Sequence, residues 1–468
     1  MGSKYSRRSL LRMGGPALAI GLAGCSSESD TSGSTASGID EGTAATTRVT
    51  TPDEPECDYQ AIDPDEPSGT VKLVHGRDTS DIEFIESTNS RFESITDNEV
   101  ELNWVPVGCY AVIRNSMSDG DGPHLIERNH DEVDRYDRLD FLSDQAGNID
   151  LPDCVLPDKA LELSRFDEEL VGMPWAAQTV ALFYNGDMVE EPPETLEEMT
   201  SIMEEHHEED GETFGLGYPI NPYYVSGFAQ AYGEEVYDGE ADELGIDTDA
   251  VEKGLRVIMD DLKPYMPDDP GPGAQTSVFE NGNAPFFISG PWEIPHLEEE
   301  GVEFGVTTLP DLPDGGTPRP YAGYNTLFFG TRMDDDPDGA GAARNYARWL
   351  ATDEEILLEH ANQENYVPIH TELRASGRLP ETIQGFADQL ETADPMPRRE
   401  KMDHVWGPFG HAIEQTFNGY GELRDNLDSA AAEIRETWED AELSSAADPE
   451  LSVNRLTLES ADSGCGVF

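Results

Sequence analysis

Residues 71–105 read VKLVHGRDTSDIEFIESTNSRFESITDNEVELNWV. Two short apolar runs, residues 71–74 and 100–105, have the length and β-branched content of strands. Between them Ile82, Ile85, Phe92 and Ile95 recur at roughly helical spacing, which predicts a helix over residues 81–96. Strand, helix and strand in that order make the unit from which α/β sheets are wound.

The pattern continues along the chain. Thr195-Leu196-Glu197-Glu198, after Pro192-Pro193, has capping-box spacing, and Leu196, Met199 and Met203 then mark one face of a helix that Gly211 is expected to end. Val251, Leu255, Ile258 and Leu262 mark a second such face, and Ala343, Tyr346, Ala347 and Leu350 a third, opened by Asp336-Pro337. Short apolar strands at residues 183–184, 284–288 and 304–308 interleave with these helices. The fold class is therefore α/β, and a chain of 468 residues is long enough for two lobes.

Composition narrows the function. With 97 Asp and Glu against 29 Lys and Arg the formal charge is −68, which repels nucleic-acid phosphates and anionic headgroups, so nucleic acid is not an expected partner. Only six of the basic residues are Lys, and a surface so rich in carboxylates stays hydrated where concentrated salt screens its self-repulsion within a few ångströms. The composition is that of a halophile's protein. With 6 Trp, 16 Tyr and 17 Phe to bury, most of the chain is expected to fold.

The N-terminus runs Ser6-Arg7-Arg8-Ser9-Leu10-Leu11-Arg12, then a small-residue apolar stretch over residues 13–23, then Cys25. Residues 1–25 match a twin-Arg export signal, and the apolar stretch is too short to span a bilayer core of about 30 Å. Leu22-Ala23-Gly24-Cys25 resembles a lipobox, which makes Cys25 the expected lipidation site and a membrane lipid a partner. The alternative is a free signal peptide ending in Cys by coincidence. Residues 26–68 are Ser, Thr, Gly, Asp and Glu with almost no large apolar side chain, an expected disordered acidic tether with a reach of about 35 Å. Cys57, Cys109, Cys154 and Cys465 remain outside the cell as an even set, which suggests two disulfides. Three connectivities are possible; Cys57 with Cys465 and Cys109 with Cys154 is the one preferred. No Cys/His spacing points to zinc, and no metal or cofactor is expected.

Six segments fall in a particular order: Gly120-Asp121-Gly122-Pro123; Val171-Gly172-Met173-Pro174-Trp175 with Leu182-Phe183-Tyr184-Asn185; Pro192-Pro193-Glu194-Thr195-Leu196-Glu197-Glu198; Phe279-Glu280-Asn281-Gly282 with Ser289-Gly290-Pro291-Trp292; Gly305-Val306-Thr307-Thr308-Leu309-Pro310; and Leu350-Ala351-Thr352-Asp353-Glu354. Across roughly residues 69–438 this order resembles the maltose and maltodextrin-binding branch, family 1, of the extracellular solute-binding proteins that serve ABC importers, in a haloarchaeal lipoprotein form. Any one segment occurs by chance; six in order is specific.

The resemblance implies a two-lobed periplasmic-binding-protein-like fold of type II, with a ligand cleft between lobes joined by hinge strands. The first lobe would comprise residues 69–176 plus 327–375, the second 182–320 plus 376–438, with a tail over 439–468. It also implies a monomer that performs no chemistry, captures a sugar such as maltose or maltodextrin, trehalose or another di- or oligosaccharide, and delivers it to ABC permease subunits at the outer face of the membrane. A sugar presents apolar C–H faces and a rim of hydroxyls, so its pocket needs aromatic platforms and polar forks. By the resemblance Trp292, Trp406 and Tyr223 would be the platforms, against ordinary core packing as the alternative, with Trp175 equally placed for cleft or core. Asp131 would bind hydroxyls, and Arg77 and Asp78 would supply two polar ligands in reversed order. Arg128, Glu132, Gln178 and Asn221 depart from the maltose-binding pattern, and Gln178 and Asn221 are kept as ligand candidates in altered form; such changes alter hydroxyl discrimination. A glycerol phosphodiester is the alternative solute. A secreted glycoside hydrolase is the alternative class; it would need paired carboxylates about 5–10 Å apart.

His206-His207-Glu208-Glu209-Asp210 reads as a solvated helix end, because adjacent histidines on a helix point about 100° apart. Asp334-Asp335-Asp336-Pro337 lacks the spaced ligands of a calcium loop and reads as a capping turn.

Overall fold

The computed structural model describes residues 59–76, 82–106, 108–118, 120–208, 211 and 213–447. Arg77, Asp78, Cys25, Cys57 and Cys465 lie outside them, as does the whole of the expected export signal, residues 1–25.

Fifteen strands form among these residues: β1 (Thr70–His75), β2 (Glu99–Trp104), β3 (Leu125–Asn129), β4 (Arg165–Phe166), β5 (Glu169–Leu170), β6 (Gly172–Thr179), β7 (Ala181–Asn185), β8 (Leu216–Gly217), β9 (Tyr237–Asp238), β10 (Glu243–Leu244), β11 (Phe286–Ser289), β12 (Phe304–Thr307), β13 (Tyr321–Phe329), β14 (Val367–Pro368) and β15 (Asp394–Pro395). A first sheet runs β14-β6-β13-β3-β1-β2, with β15 added beside β13. A second sheet runs β12-β7-β11-β8, and two short hairpins stand apart. The opening unit is as expected: β1 and β2 pair in parallel, with the helix Ile82–Ile95 between them.

The inner strands β6, β13 and β11 are buried on both faces, which explains their near-continuous apolar runs, whereas the edge strand β2 alternates exposed and half-buried residues. Alternate residues of β7 and β11 enter different cores. Phe183 and Phe287 join the cluster shared with the first sheet, whereas Leu182, Phe286 and Ile288 face a cluster made with Phe228, Leu255, Phe409 and Ile413. In the first sheet Leu73 and Leu327 share the former cluster, while Val74, Ile126 and Phe328 meet Ile113, Val133 and Tyr136 on the far side.

Two connections join the strands of the two sheets, and a third segment runs from the first sheet to a helix on the second. Val180 links β6 to β7; residues 308–320 lead from β12 back to β13; and residues 390–396 pass along β13 as β15 before the helix Asp403–Phe417. The crossings are pinned by His130. Its Nδ1 accepts the Tyr324 N–H at 3.0 Å, which leaves the proton on Nε2 to donate to the Met396 carbonyl at 3.0 Å. Burial lowers its pKa to about 3, so the ring is neutral and serves as a fixed two-ended brace.

Several local expectations hold. Thr195 and Glu198 form a reciprocal capping box, and Asp336 caps the helix Pro337–Thr352 through the Gly339 N–H. Leu196, Met199 and Met203 are buried, as are Val251, Leu255, Ile258 and Leu262. Others are corrected. The helix opened by Thr195 ends at His206, not Gly211, and Ile95 is 53% exposed at the end of its helix. The final helix, Leu423–Ala447, runs well past the expected boundary at 438, with Trp438 packed on Tyr237 at 5.4 Å between centroids.

The larger correction concerns the tether expected over residues 26–68. Its last part, from Tyr59, lies against the helix Pro337–Thr352. Tyr59 donates to the Thr352 carbonyl at 2.7 Å, and the Asp63 N–H donates to the Asn345 side chain at 2.7 Å. The Arg344 guanidinium grips Glu66 through two bonds of 2.7 and 2.6 Å. Gly341 is required there, because a Cβ would stand 2.6 Å from the Pro67 ring and 2.7 Å from its carbonyl. A segment with little apolar surface docks through a bidentate ion pair and backbone bonds, supplemented by Tyr59, Ala61 and Ile62 packing on the core.

Candidate ligand-binding site

The site builds from the ends of crossing strands. β3 ends in a 3-10 turn, His130–Glu132, and the brace at His130 fixes the position of its neighbour Asp131. The Asp131 Oδ1 is buried and accepts no hydrogen bond from any described residue. Its pKa is raised to about 7, chiefly by burial and then by the charges of Glu132 and Asp403, with Arg135 opposing. A buried carboxyl oxygen is costly to leave unpaired, and this one is able to accept a hydroxyl.

Within reach of the Asp131 charge is Tyr223, in the helix Pro222–Ala229. The Tyr223 hydroxyl donates to the Gln178 carbonyl at 3.3 Å, which ties this helix to the crossing strand β6. Burial raises the Tyr223 pKa first, and the fields of Tyr224 and Asp131 raise it further, so the hydroxyl stays protonated. Trp292 sits on the 3-10 turn Pro291–Glu293 with its ring centroid 6.2 Å from that of Tyr223 and 6.0 Å from that of Tyr224. It is 40% exposed, in contrast to the fully buried Trp175 and Trp349. An exposed indole backed by two tyrosines is a flat apolar platform with polar edges.

Trp406, on the helix Asp403–Phe417, packs edge-on against Tyr321 at 5.8 Å. It lines a small cavity of about 70 Å³ together with Asp131, Glu132, Arg135 and Asp403. The walls of that cavity come from both sheets' sides of the molecule. Arg135 donates to Asp403 at 2.6 Å and to the Tyr110 hydroxyl at 2.5 Å. Glu132 in turn accepts from Tyr110 at 3.0 Å and Tyr136 at 3.2 Å.

The structure thus brings together Asp131, Gln178 and Tyr223, with Trp292 against Tyr223 and Trp406 beside Asp131. Asn221, kept as a ligand candidate, caps the helix Pro222–Ala229: its Oδ1 accepts the N–H groups of Tyr223 at 3.0 Å and Tyr224 at 3.2 Å. The cap fixes the start of the helix that carries Tyr223. Trp175 belongs to the core, edge-on to His360 at 4.9 Å. Arg128 is buried and donates to the carbonyls of Glu127 and Val105 at 2.7 and 2.6 Å. Sequence reasoning missed Arg135, Asp403 and Tyr224; the tandem Tyr223-Tyr224 after a cap-and-proline start was the available signal for the last. Cys109 and Cys154 are both disulfide-bonded.

Comparison with known proteins gives the family and the fold. Residues 90–385 match the family model described as bacterial extracellular solute-binding protein. The maltotriose-binding protein of Pyrococcus abyssi is 29% identical over 358 residues, covering 74% of this chain and 77% of that one. The galactooligosaccharide-binding protein of Bacillus subtilis is 25% identical over 331 residues, covering 67% and 76%. Among solved structures, a cyclo/maltodextrin-binding protein complexed with maltotetraose aligns with a TM-score of 0.69 at 20% identity, over 79% of this chain and 97% of that chain. The Thermus thermophilus maltotriose-binding protein bound with maltotriose aligns with a TM-score of 0.64 at 24% identity, over 78% and 99%. The matched family model spans more than half of the sequence, and the chain belongs to the bacterial extracellular solute-binding proteins.

Proposed function

We propose that this protein is the capture component of an ABC importer for a di- or oligosaccharide. It is exported by the twin-Arg route, held at the outer face of the membrane by lipid on Cys25, and passes its sugar to the permease. It works in concentrated salt as a monomer of two lobes, with Arg77 and Asp78 completing the polar set of the cleft. The observation that carries the reading is the pairing of an exposed aromatic platform, Trp292 on Tyr223 and Tyr224, with a buried carboxyl oxygen at Asp131 that has no partner among the described residues. An apolar ring face and a waiting acceptor fit the two kinds of surface a pyranose offers. Relatives named for binding maltotriose and galactooligosaccharide point to the same ligand class.

Hydrolysis is the less favoured reading. It needs a second carboxyl poised beside Asp131, and the two acids nearest in the field of Asp131 are engaged: Glu132 by two tyrosine hydroxyls, Asp403 by Arg135. Thermal unfolding in molar salt against maltotriose, a galacto-oligosaccharide, trehalose and a glycerol phosphodiester tests the reading. A ligand at 100 times its Kd adds about 2.7 kcal/mol. Stabilisation by a sugar supports capture, stabilisation by the phosphodiester alone overturns the ligand class, and release of reducing ends overturns capture in favour of hydrolysis.

A further inference from the structure

Trp292 is one of only three large apolar side chains exposed among the described residues, and it is held more firmly than its exposure suggests. Its indole Nε1 donates to the Tyr224 hydroxyl at 3.2 Å. That hydroxyl is itself 3.2 Å from the hydroxyl of Ser289, which is fully buried at the end of β11. The Tyr224 ring stands edge-on to the indole, with an interplanar angle of 71°. Beneath the indole lies Gly290: a Cβ there would stand 2.2 Å from two atoms of the six-membered ring and 2.6 Å from a third. The Tyr224 backbone is fixed in turn, with its N–H capped by Asn221 and its carbonyl accepting from the Tyr218 hydroxyl at 2.8 Å.

We propose that Tyr224 and Ser289 are positioning residues that set the plane of Trp292 before ligand arrives, with Gly290 the floor that lets the ring lie down. The inference rests on the reading of Trp292 as a sugar platform and goes beyond it, since neither Tyr224 nor Ser289 need touch the sugar. The chemistry is specific. An indole has a single polar edge, and an acceptor at that edge selects one orientation of a ring whose faces are otherwise equivalent to packing. The tyrosine hydroxyl can accept from the indole only while its own proton is directed elsewhere, and Ser289 supplies that second partner. A platform held in its bound orientation binds with less ordering cost than one that must be fixed by the ligand.

The test uses the full mature protein containing 5-fluorotryptophan, with the Trp292 fluorine resonance assigned by its loss in Trp292→Phe, and maltotriose as the probe. Tyr224→Phe keeps the ring and removes the hydroxyl. The resonance is expected to shift and broaden in the free protein, and affinity for maltotriose to fall about 3–10-fold, the equivalent of one hydrogen bond. Ser289→Ala should move the resonance in the same direction by less, and provides the milder variant should Tyr224→Phe fold poorly. An unchanged resonance and unchanged affinity in Tyr224→Phe overturn the proposal. So does a lowered unfolding midpoint with both readouts unmoved, which would mark the hydroxyl as merely structural. If Trp292→Ala binds maltotriose as tightly as the parent, or the parent binds none, the platform reading fails, while the resonance of the free protein still decides the positioning.

Discussion

Arg135 and Asp403 are 268 residues apart in sequence and 2.6 Å apart in space, and their ion pair joins the far face of the first sheet to the helix that carries Trp406. Two further bridges run along the same seam: Arg138 to Glu400 at 2.7 Å and Arg399 to Asp167 at 2.7 Å. Four arginines, counting Arg398, thus gather where the molecule's two sides meet beside the candidate site.

Arg135→Gln should therefore weaken ligand binding by up to about fivefold in low salt, within the range of partly exposed pairs. The effect should shrink as salt rises toward molar concentrations, because screening falls hardest on exposed charges. Calorimetric titration at a series of KCl concentrations checks both the direction and the convergence.

The second expectation concerns pH. Asp131 has a folded pKa of about 7, above the ordinary value for an aspartate, so the folded chain holds a proton that the unfolded chain has released between about pH 4 and 7. Across that window this group makes stability fall as pH rises, by at most about 1.4 kcal/mol per pH unit. Asp131→Asn should flatten the decline of the unfolding midpoint between pH 5 and 8, two values chosen on either side of about 7. If a ligand hydroxyl donates to this carboxylate, binding should expel a proton near pH 7 and tighten as pH rises through it. Titration in buffers of different ionisation enthalpy measures that proton directly.

The docked segment ahead of β1 supplies a third. Glu66 and Arg344 have side chains only 11% and 13% exposed, and breaking such a pair by removing one partner costs about 3 kcal/mol. Arg344→Ala should lower the unfolding midpoint by several degrees. A chain started at Gly69 should be less stable than one started at Tyr59 by a similar amount. Side-by-side thermal scans in the same salt decide it.

The aromatic platforms give the fourth. Trp292→Ala should cost about tenfold or more in affinity with little loss of stability, since the ring is 40% exposed. Trp406→Ala should lower both, because it also packs on Tyr321 and the second core.

Much of this was legible in the sequence. The strand, helix, strand unit and the apolar stripes of later helices follow from short-range periodicity, which a local reading can see. So do the caps at Thr195 and Asp336, whose partners lie three residues away. The aromatic candidates Trp292, Tyr223 and Trp406 came from the ordered motifs that surround them, and the structure sets Trp292 against Tyr223. What stayed hidden depends on long-range contact. The strap from Tyr59 to Pro67 reads as tether because its binding comes from Glu66 meeting Arg344 across 278 residues, not from its own hydrophobicity. Arg135 and Asp403 were invisible among so many charges for the same reason. The cap at Asn221 was not read, because one polar side chain can serve a cap, a ligand contact or both, and only geometry assigns its oxygen.

The central claim is that the cleft beside Asp131, Tyr223, Trp292 and Trp406 takes a sugar. Calorimetric titration of the mature protein with maltotriose and a galacto-oligosaccharide in molar salt tests it most directly. The account predicts saturable one-to-one binding of at least one of them, weakened by both Trp292→Ala and Trp406→Ala. Absence of binding by any di- or oligosaccharide, with saturable binding of a solute of another class that both tryptophan variants retain, would contradict it.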